Sequence, residues 1–379
     1  MRKLLYGTTA LVAAGLISGA ASNEAWAQKA PVEKIQLGLG GYFQVFGVFG
    51  DQDLDEGLRN HAIAREAEIY FLGKTTLDNG LEVGAQVQLE ADGEGSPATG
   101  VGDYIDESFV YFEGGWGRIN LGSENSAAYL MHYATESASG GSAWGVNDST
   151  FSYANPGTNL AGIGPHTLPN MTSDSEKITY FTPRLAGFQL GASYTPDSCE
   201  DATGCGGTYS GFEGDEDAND FGEIWEVGAN YVQKLGTFDV AVSGSYGSGT
   251  LESQLVPGLG DDPTEWTVGF QLGFAGFTVG GAYRDESDVT IIGFDRKDYN
   301  AGVRYVFGPW GVGVVYGHIE QEHALGEDET DVYEVGGNYV LGPGVDLKAG
   351  VQFWDLQGEG GLLDENEATI VYVGTALTF

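Results

Sequence analysis

Run after run of this chain alternates apolar residues with polar residues or glycine. Few features constrain a fold more tightly, because successive side chains point to opposite faces in a β-strand and not in a helix. In "GLEVGAQVQLE", Leu81, Val83, Ala85, Val87 and Leu89 share one face, and Glu82, Gln86, Gln88 and Glu90 the other. In "WTVGFQLGF", Trp266, Val268, Phe270, Leu272 and Phe274 oppose Thr267, Gly269, Gln271 and Gly273. "YNAGVRYVF" divides the same way, with Arg304 on the polar face. Sixteen such runs, the first near 35–49 and the last at 368–379, predict sixteen strands.

The connections alternate as well. "LDNG", "EGGWG", "PRLAG", "LGT", "AG", "GPWG" and "LGPG" are short and carry the Gly, Pro and Asn of tight hairpin turns. Between them fall long connections, including 320–330, and the longest covers 123–175. An antiparallel meander therefore has all its short turns at one end and all its long loops at the other. The long loops are rich in Asp and Glu and hold one basic residue, Arg59. Several hairpins restart with Gly and an aromatic and reach a Tyr at an even offset, as in Phe188 to Tyr194, Phe277 to Tyr283 and Trp310 to Tyr316. Even offsets put both rings on one face, near opposite ends of the strand, which is the layout of two aromatic girdles around an apolar band.

A soluble sandwich packs its large residues inward and needs no division into a turn end and a loop end. In hydrocarbon every backbone group must be paired, and closing the sheet removes its edges. The pattern therefore predicts an all-β fold, a 16-stranded antiparallel transmembrane β-barrel with bulky residues outward and polar residues or glycine lining the interior. No apolar stretch after the first segment approaches the ~18 residues of a spanning helix.

Residues 1–27 read as a signal peptide. Arg2 and Lys3 precede an apolar stretch that ends at Ala25-Trp26-Ala27, a small-x-small cleavage site. Residues 28–379 then form one exported unit. A net charge of −39 excludes nucleic acid as a partner, which requires clustered Lys and Arg. With 12% aromatic and 41% apolar residues the chain is nonetheless a folded one. Cys199 and Cys205, the only cysteines, are expected to form a local disulfide, with zinc as the sharper alternative. "DQDLDEG" places Asp51, Asp53 and Asp55 at alternate positions, as at the start of a calcium loop. Glu56 stands where that loop needs Gly, and Ala62 where it needs Glu. A weak Ca²⁺ site thus competes with a plain solvated acidic loop, and no other cofactor is expected.

Four segments resemble the Gram-negative outer-membrane general porins, in particular the alphaproteobacterial 16-stranded ones: "REAEIYFLGKTTLDNGLEVGAQVQLE" (65–90), "FVYFEGGWGRINLGSENSAAY" (109–129), "SEKITYFTPRLAGFQLGASY" (175–194) and the terminal "VGTALTF". The resemblance implies a homotrimer in the outer membrane, with short periplasmic turns, long extracellular loops and a third long loop, here 123–175, folded into the lumen as a constriction. It further implies that Phe379, on the outward parity of Val371, Val373 and Leu377, is an assembly signal for the barrel-assembly machinery. Outer-membrane lipids, lipopolysaccharide and small hydrophilic solutes are the remaining expected partners.

The constriction loop brings Glu124, Glu136, Asp148 and Asp174 and no Lys or Arg. Arg118, Arg284, Arg304 and Lys348 have inward parity in their strands. Acidic loop against basic wall is expected to set a transverse field at the constriction, and the acidic loops to favour cations. Arg65 has the parity of Ala67, Ile69 and Phe71 and is expected at the rim or against a neighbouring subunit. Enzyme motifs are missing: there is no GxSxG elbow and no HExxH pair. A diffusion channel, a substrate-specific channel and a surface protein such as an adhesin remain the competing functions.

Overall fold

The computed structural model describes residues 35–54, 59–90, 105–141, 146, 164–198, 221–252, 260–288, 294–323, 326–359 and 365–379. The signal segment 1–27, Asp55, Asp148, Cys199 and Cys205 lie outside the described residues.

Sixteen strands run in chain order: β1 (Gln36–Gln52), β2 (His61–Thr76), β3 (Glu82–Glu90), β4 (Ile105–Gly114), β5 (Gly117–Ser123), β6 (Glu176–Phe181), β7 (Phe188–Asp197), β8 (Phe221–Leu235), β9 (Phe238–Leu251), β10 (Thr264–Phe274), β11 (Phe277–Ser287), β12 (Arg296–Phe307), β13 (Trp310–His323), β14 (Gly326–Gly342), β15 (Val345–Gly358) and β16 (Asn366–Thr378). Each pairs antiparallel with its neighbours in sequence, and β1 pairs with β16 from Tyr42↔Thr378 to Gln52↔Ala368, so the sheet closes without an edge. One short helix, α1 (Ala127–Leu130), follows β5 and is capped by the Ser126 hydroxyl, which accepts from the Tyr129 N–H.

The register carries one parity around the whole barrel. On β10, Trp266, Val268, Phe270, Leu272 and Phe274 all point outward and are exposed. Leaving such side chains in water forgoes ~1.5–3 kcal/mol each relative to burial, so this face requires a hydrocarbon surround. Rings border the band at both ends. Toward the long loops, Trp266 packs on Tyr283 at 5.1 Å and Tyr316 on Tyr333 at 4.9 Å. Toward the short turns, Phe238 packs on Phe274 at 4.8 Å and Phe277 on Tyr305 at 4.3 Å. The β10–β11 turn places Ala275 at φ 50° and Gly276 at φ 88°, the paired positive angles that suit the right-handed twist of a two-residue hairpin.

Two expectations are corrected. The connection 320–330 is not a long loop. β13 and β14 continue as a ladder through Glu320↔Glu329 and Gln321↔Asp328 to His323↔Gly326, leaving only 324–325 between them. Here polar and charged residues occupy both faces, Glu320, Glu322, Glu327 and Glu329 on one and Gln321 and Asp328 on the other, so the apolar alternation by which a strand is recognised is missing. Nor is the interior uniformly polar. Phe46, Val48, Val315, Val332, Trp354, Leu356, Ile370 and Tyr372 point inward from β13–β16 and β1, and they pack with Ala138 and Val146 into a buried apolar cluster. These positions face protein instead of water, because the loop after β5 covers them.

Candidate channel and its constriction loop

The segment after β5 lies against the inner wall, and glycine is what lets it approach. An added Cβ would stand 2.8 Å from the Ala127 carbonyl at Gly228, 2.9 Å from the Ala134 carbonyl at Gly280 and 2.9 Å from Ala138 at Gly313; at Gly269 it would collide with the Tyr133 carbonyl. These inward glycines of β8, β10, β11 and β13 form a track in which residues 127–139 lie flush. Part of the chain's large glycine content is therefore a seat for the loop backbone.

Charged wall residues hold the loop's peptide groups. Lys177 of β6 donates to the carbonyls of Glu124, Ser173 and Ser175 and so joins the beginning and the end of the loop. Glu226 of β8 accepts from the hydroxyls of Ser126 (2.7 Å) and Thr172 (2.6 Å). Lys348 of β15 donates to the Gly141 carbonyl at 3.0 Å, and Glu334 of β14 accepts from the Val146 N–H at 3.0 Å. Arg304 of β12 stands 3.4 Å from Glu136 and donates to Asn338 at 2.5 Å. Arg284 of β11, 3% exposed, bonds Asp298 at 3.0 Å and the Leu168 carbonyl at 3.0 Å.

Arg118, Arg284, Arg304 and Lys348 all lie on the inner face, but the last three are spent on the loop. Arg118, 28% exposed, keeps contact with water: its guanidinium lies 4.0 Å from the Tyr111 ring centre, and its Nε donates to Asn120. Asn120 passes this on, its amide donating to both oxygens of Glu124 at 2.8 and 2.6 Å. Glu124 itself is 3% exposed, and Asp174 is half-buried beside Ser123, whose hydroxyl donates to its carbonyl. Arg65 is exposed on the outward face. Asp51 lies within β1 opposite Thr369, and Asp53 donates its N–H to the Glu367 carbonyl at 3.1 Å. Among the described residues no group of three His, Cys, Asp or Glu is placed to hold a metal ion.

Burial sets the protonation of the loop. It pushes the Glu124 carboxyl up to about 7, against the opposing pull of Asn120, Arg118 and Lys177. It raises Glu136 too, with Arg304 opposing. It drives His132 and His166 down to about 3, and Arg284 adds to the shift in both. His132 sits between Thr267 (3.3 Å) and Thr167 (3.5 Å) as a neutral ring.

Away from the loop's track, the inner wall of β1–β5 is acidic and aromatic. Tyr42 donates to Glu66 (2.5 Å) and Glu68 (2.8 Å), and Tyr70 donates to Glu68 at 2.7 Å. Glu66 and Glu68 are half-buried, facing inward. Nearer the short turns, Glu82 pairs with Lys74 at 3.4 Å and Glu113 with Arg118 at 3.8 Å. The alternation in the sequence puts Glu82 on the polar face of its strand, and Glu66 and Glu68 on the parity opposite Arg65, but does not mark any of the three as lining the channel. Lys177, Glu226, Glu265, Asp298 and Glu334 are likewise unmarked in the sequence as partners of the loop. The available signal was a charged residue at inward parity within a strand.

Residues 7–358 match the family model described as Gram-negative porin. The chain belongs to the Gram-negative porin family. Its barrel superposes on an anion-selective porin from Comamonas acidovorans with a TM-score of 0.62 at 18% identity, covering 91% of this chain and 100% of that one. A porin refined at 1.8 Å gives 0.57 at 17% identity, again over 91% and 100%. The in-vitro folded OmpT of Vibrio cholerae, in a trimer form, gives 0.59 at 12% identity over 92% and 100%. Among curated proteins, a chitoporin of Vibrio furnissii is 25% identical over 261 residues, which is 66% of this chain and 64% of that relative's length. The porin is thus an integral β-barrel of the Gram-negative outer membrane and a transport channel.

Proposed function

We propose that this porin is a passive diffusion channel for small hydrophilic solutes and ions, that it prefers cations, and that it works as a homotrimer. The observation carrying the cation preference is the distribution of inward charge. Arg284 and Lys348 are buried against the loop and Arg304 is held there by Glu136, so that Arg118 is the one of the four wall cations that keeps contact with water, whereas Glu66 and Glu68 both keep partial access to the interior on the wall of β1–β5. The excess negative charge of the chain adds to the same field. Reversal potentials under a KCl gradient test this reading: a potential of the sign for K⁺ over Cl⁻, falling as salt rises, supports it, and anion preference overturns it.

The trimer rests on the outward face. Tyrosines and tryptophans ring β6–β14, while the outward positions of β15, β16 and β1–β5 hold neither. Aromatic belts mark contact with the lipid–water boundary, so their interruption marks the face turned to other subunits. Phe379 as a mark for the assembly machinery, lipopolysaccharide at the outer rim and Ca²⁺ at the acidic loops complete the proposal as its expected partners.

A second reading, a substrate-specific channel, draws on the likeness to the chitoporin and on the inward Tyr42, Tyr70 and Tyr111 beside carboxylates, a lining suited to amino sugars. Saturation of the current by chito-oligosaccharides favours it, and a strictly linear flux favours the general channel.

A further inference from the structure

The return limb of the loop, Gly164 to Asn170, is held by an unusual partner. Four of its peptide groups, at alternate residues, are bonded by charged side chains of the wall. The Gly164 carbonyl accepts from Arg296 at 3.2 Å, the His166 N–H donates to Asp298 at 2.9 Å, the Leu168 carbonyl accepts from Arg284 at 3.0 Å, and the Asn170 N–H donates to Glu265 at 3.2 Å. In a β-ladder, alternate residues likewise turn their N–H and C=O groups toward the neighbouring strand. Here a row of side chains, two positive and two negative, takes the place of that strand. The intervening Pro165 and Pro169 have no N–H to satisfy, and each disfavours a helical residue before it, at Gly164 and Leu168.

The row is tied to itself. Asp298 receives Arg284 at 3.0 Å and Arg296 at 2.8 Å, and Glu286 braces Arg284 at 3.1 Å. Arg284 also stands 3.6 Å from Glu265. All of these side chains are buried or nearly so, and charge-assisted bonds of this kind are stronger and geometrically stricter than neutral ones. A limb held this way stands at a distance from the wall fixed by side-chain reach rather than by sheet spacing.

We infer that Arg284 is the positioning residue that keeps the return limb against the wall, and that the ladder Arg296–Asp298–Arg284–Glu265 sets the free width of the channel. Arg284 is too deeply covered to act on a passing solute itself. Without it, the peptide groups of the limb turn to the water of the lumen and the limb stands away from the wall. The inference rests on the porin being a diffusion channel, and the experiment separates the two.

The experiment uses the full-length porin in planar bilayers and in liposomes with neutral sugars of increasing size. Arg284→Met combined with Glu265→Gln removes one charge of each sign. Conductance is expected to fall about two-fold, with added open-channel noise and a smaller sugar cut-off, since conduction follows the free width. Ion preference should stay parental, because both side chains are buried. Arg284→Lys keeps the charge but not the forked contact, and an intermediate loss is expected. Heat-dependent gel mobility confirms that each barrel is folded. A folded double variant with parental conductance and cut-off overturns the inference. If the double variant does not fold, parental behaviour of R284K overturns it equally. Absence of any current through the parent protein sinks the channel reading instead.

Discussion

Phe379 and Gly41 exchange both backbone hydrogen bonds, each N–H donating to the other's carbonyl at 3.1 Å. This pair extends the β1–β16 ladder past Tyr42↔Thr378 and fastens the seam where the barrel closes. The Phe379 ring stays exposed on the outward face. Deleting Phe379 removes two bonds worth ~1 kcal/mol each in water, and more where no water replaces them. Fewer molecules should reach the heat-modifiable folded form, while those that insert should conduct like the parent. A parental folding yield would contradict the role given to this seam.

The placement of Glu66 and Glu68 predicts which carboxylates select ions. Replacing both by Gln should lower cation preference in a reversal-potential measurement by several-fold in permeability ratio. Glu124→Gln should leave it nearly unchanged, since that carboxyl is 3% exposed and enclosed by Asn120. The opposite ranking would return the selective charge to the loop.

Glu124 also predicts a pH dependence. Its carboxyl rises from 4.5 to about 7 on burial, so the folded state binds more protons than the unfolded state across that window. Stability is therefore highest below pH 4.5 as far as this group is concerned, and it declines as pH rises toward 7 and above. At about 1.4 kcal/mol per unit the full effect is ~3 kcal/mol. His132 and His166 act in the other direction: they are neutral when buried, so their contribution is lost as pH falls from 6.5 toward about 3. Comparing the unfolding temperature of Glu124→Gln with the parent at pH 5 and pH 8 isolates the first effect. The variant should gain on the parent at pH 8, and equal differences at both pH values would refute the assignment.

The glycine track makes a steric prediction. Gly313→Val places a side chain against Ala138, whose Cα and carbonyl oxygen would both lie 2.9 Å from the new Cβ. Overpacking of this kind costs ~1–3 kcal/mol, and the loop is the part able to move. Conductance should fall as the loop is pushed into the lumen. Gly244→Ala is the control, since its Cβ meets ordinary contacts, the nearest at 3.5 Å. A parental conductance in G313V would show that the loop does not depend on this seat.

How far the sequence could be read follows from what imposes each pattern. Hydrocarbon acts on every outward residue of every strand, so Trp266, Val268, Phe270, Leu272 and Phe274 announce their strand and its face unaided. The interior has no such uniform neighbour. An inward side chain meets water or loop depending on the path of 124–175, which has no periodicity. Phe46 and Tyr372 thus broke the expected polar lining, and Arg284 lies buried on the Leu168 carbonyl and Asp298 instead of open to the interior. In the upper part of β13 and β14 both faces carry polar and charged residues, which hid Glu320 to Glu329 as strand. The same logic made Lys177 illegible: its partners are carbonyls of residues that precede and follow a loop of some fifty residues.

Conduction is the property that most directly distinguishes a channel from a closed barrel. In planar bilayers the purified porin should give stepwise current increments proportional to salt at high concentration, with a reversal potential favouring K⁺ over Cl⁻. Folded, heat-modifiable protein that inserts and yields no current steps would contradict the channel.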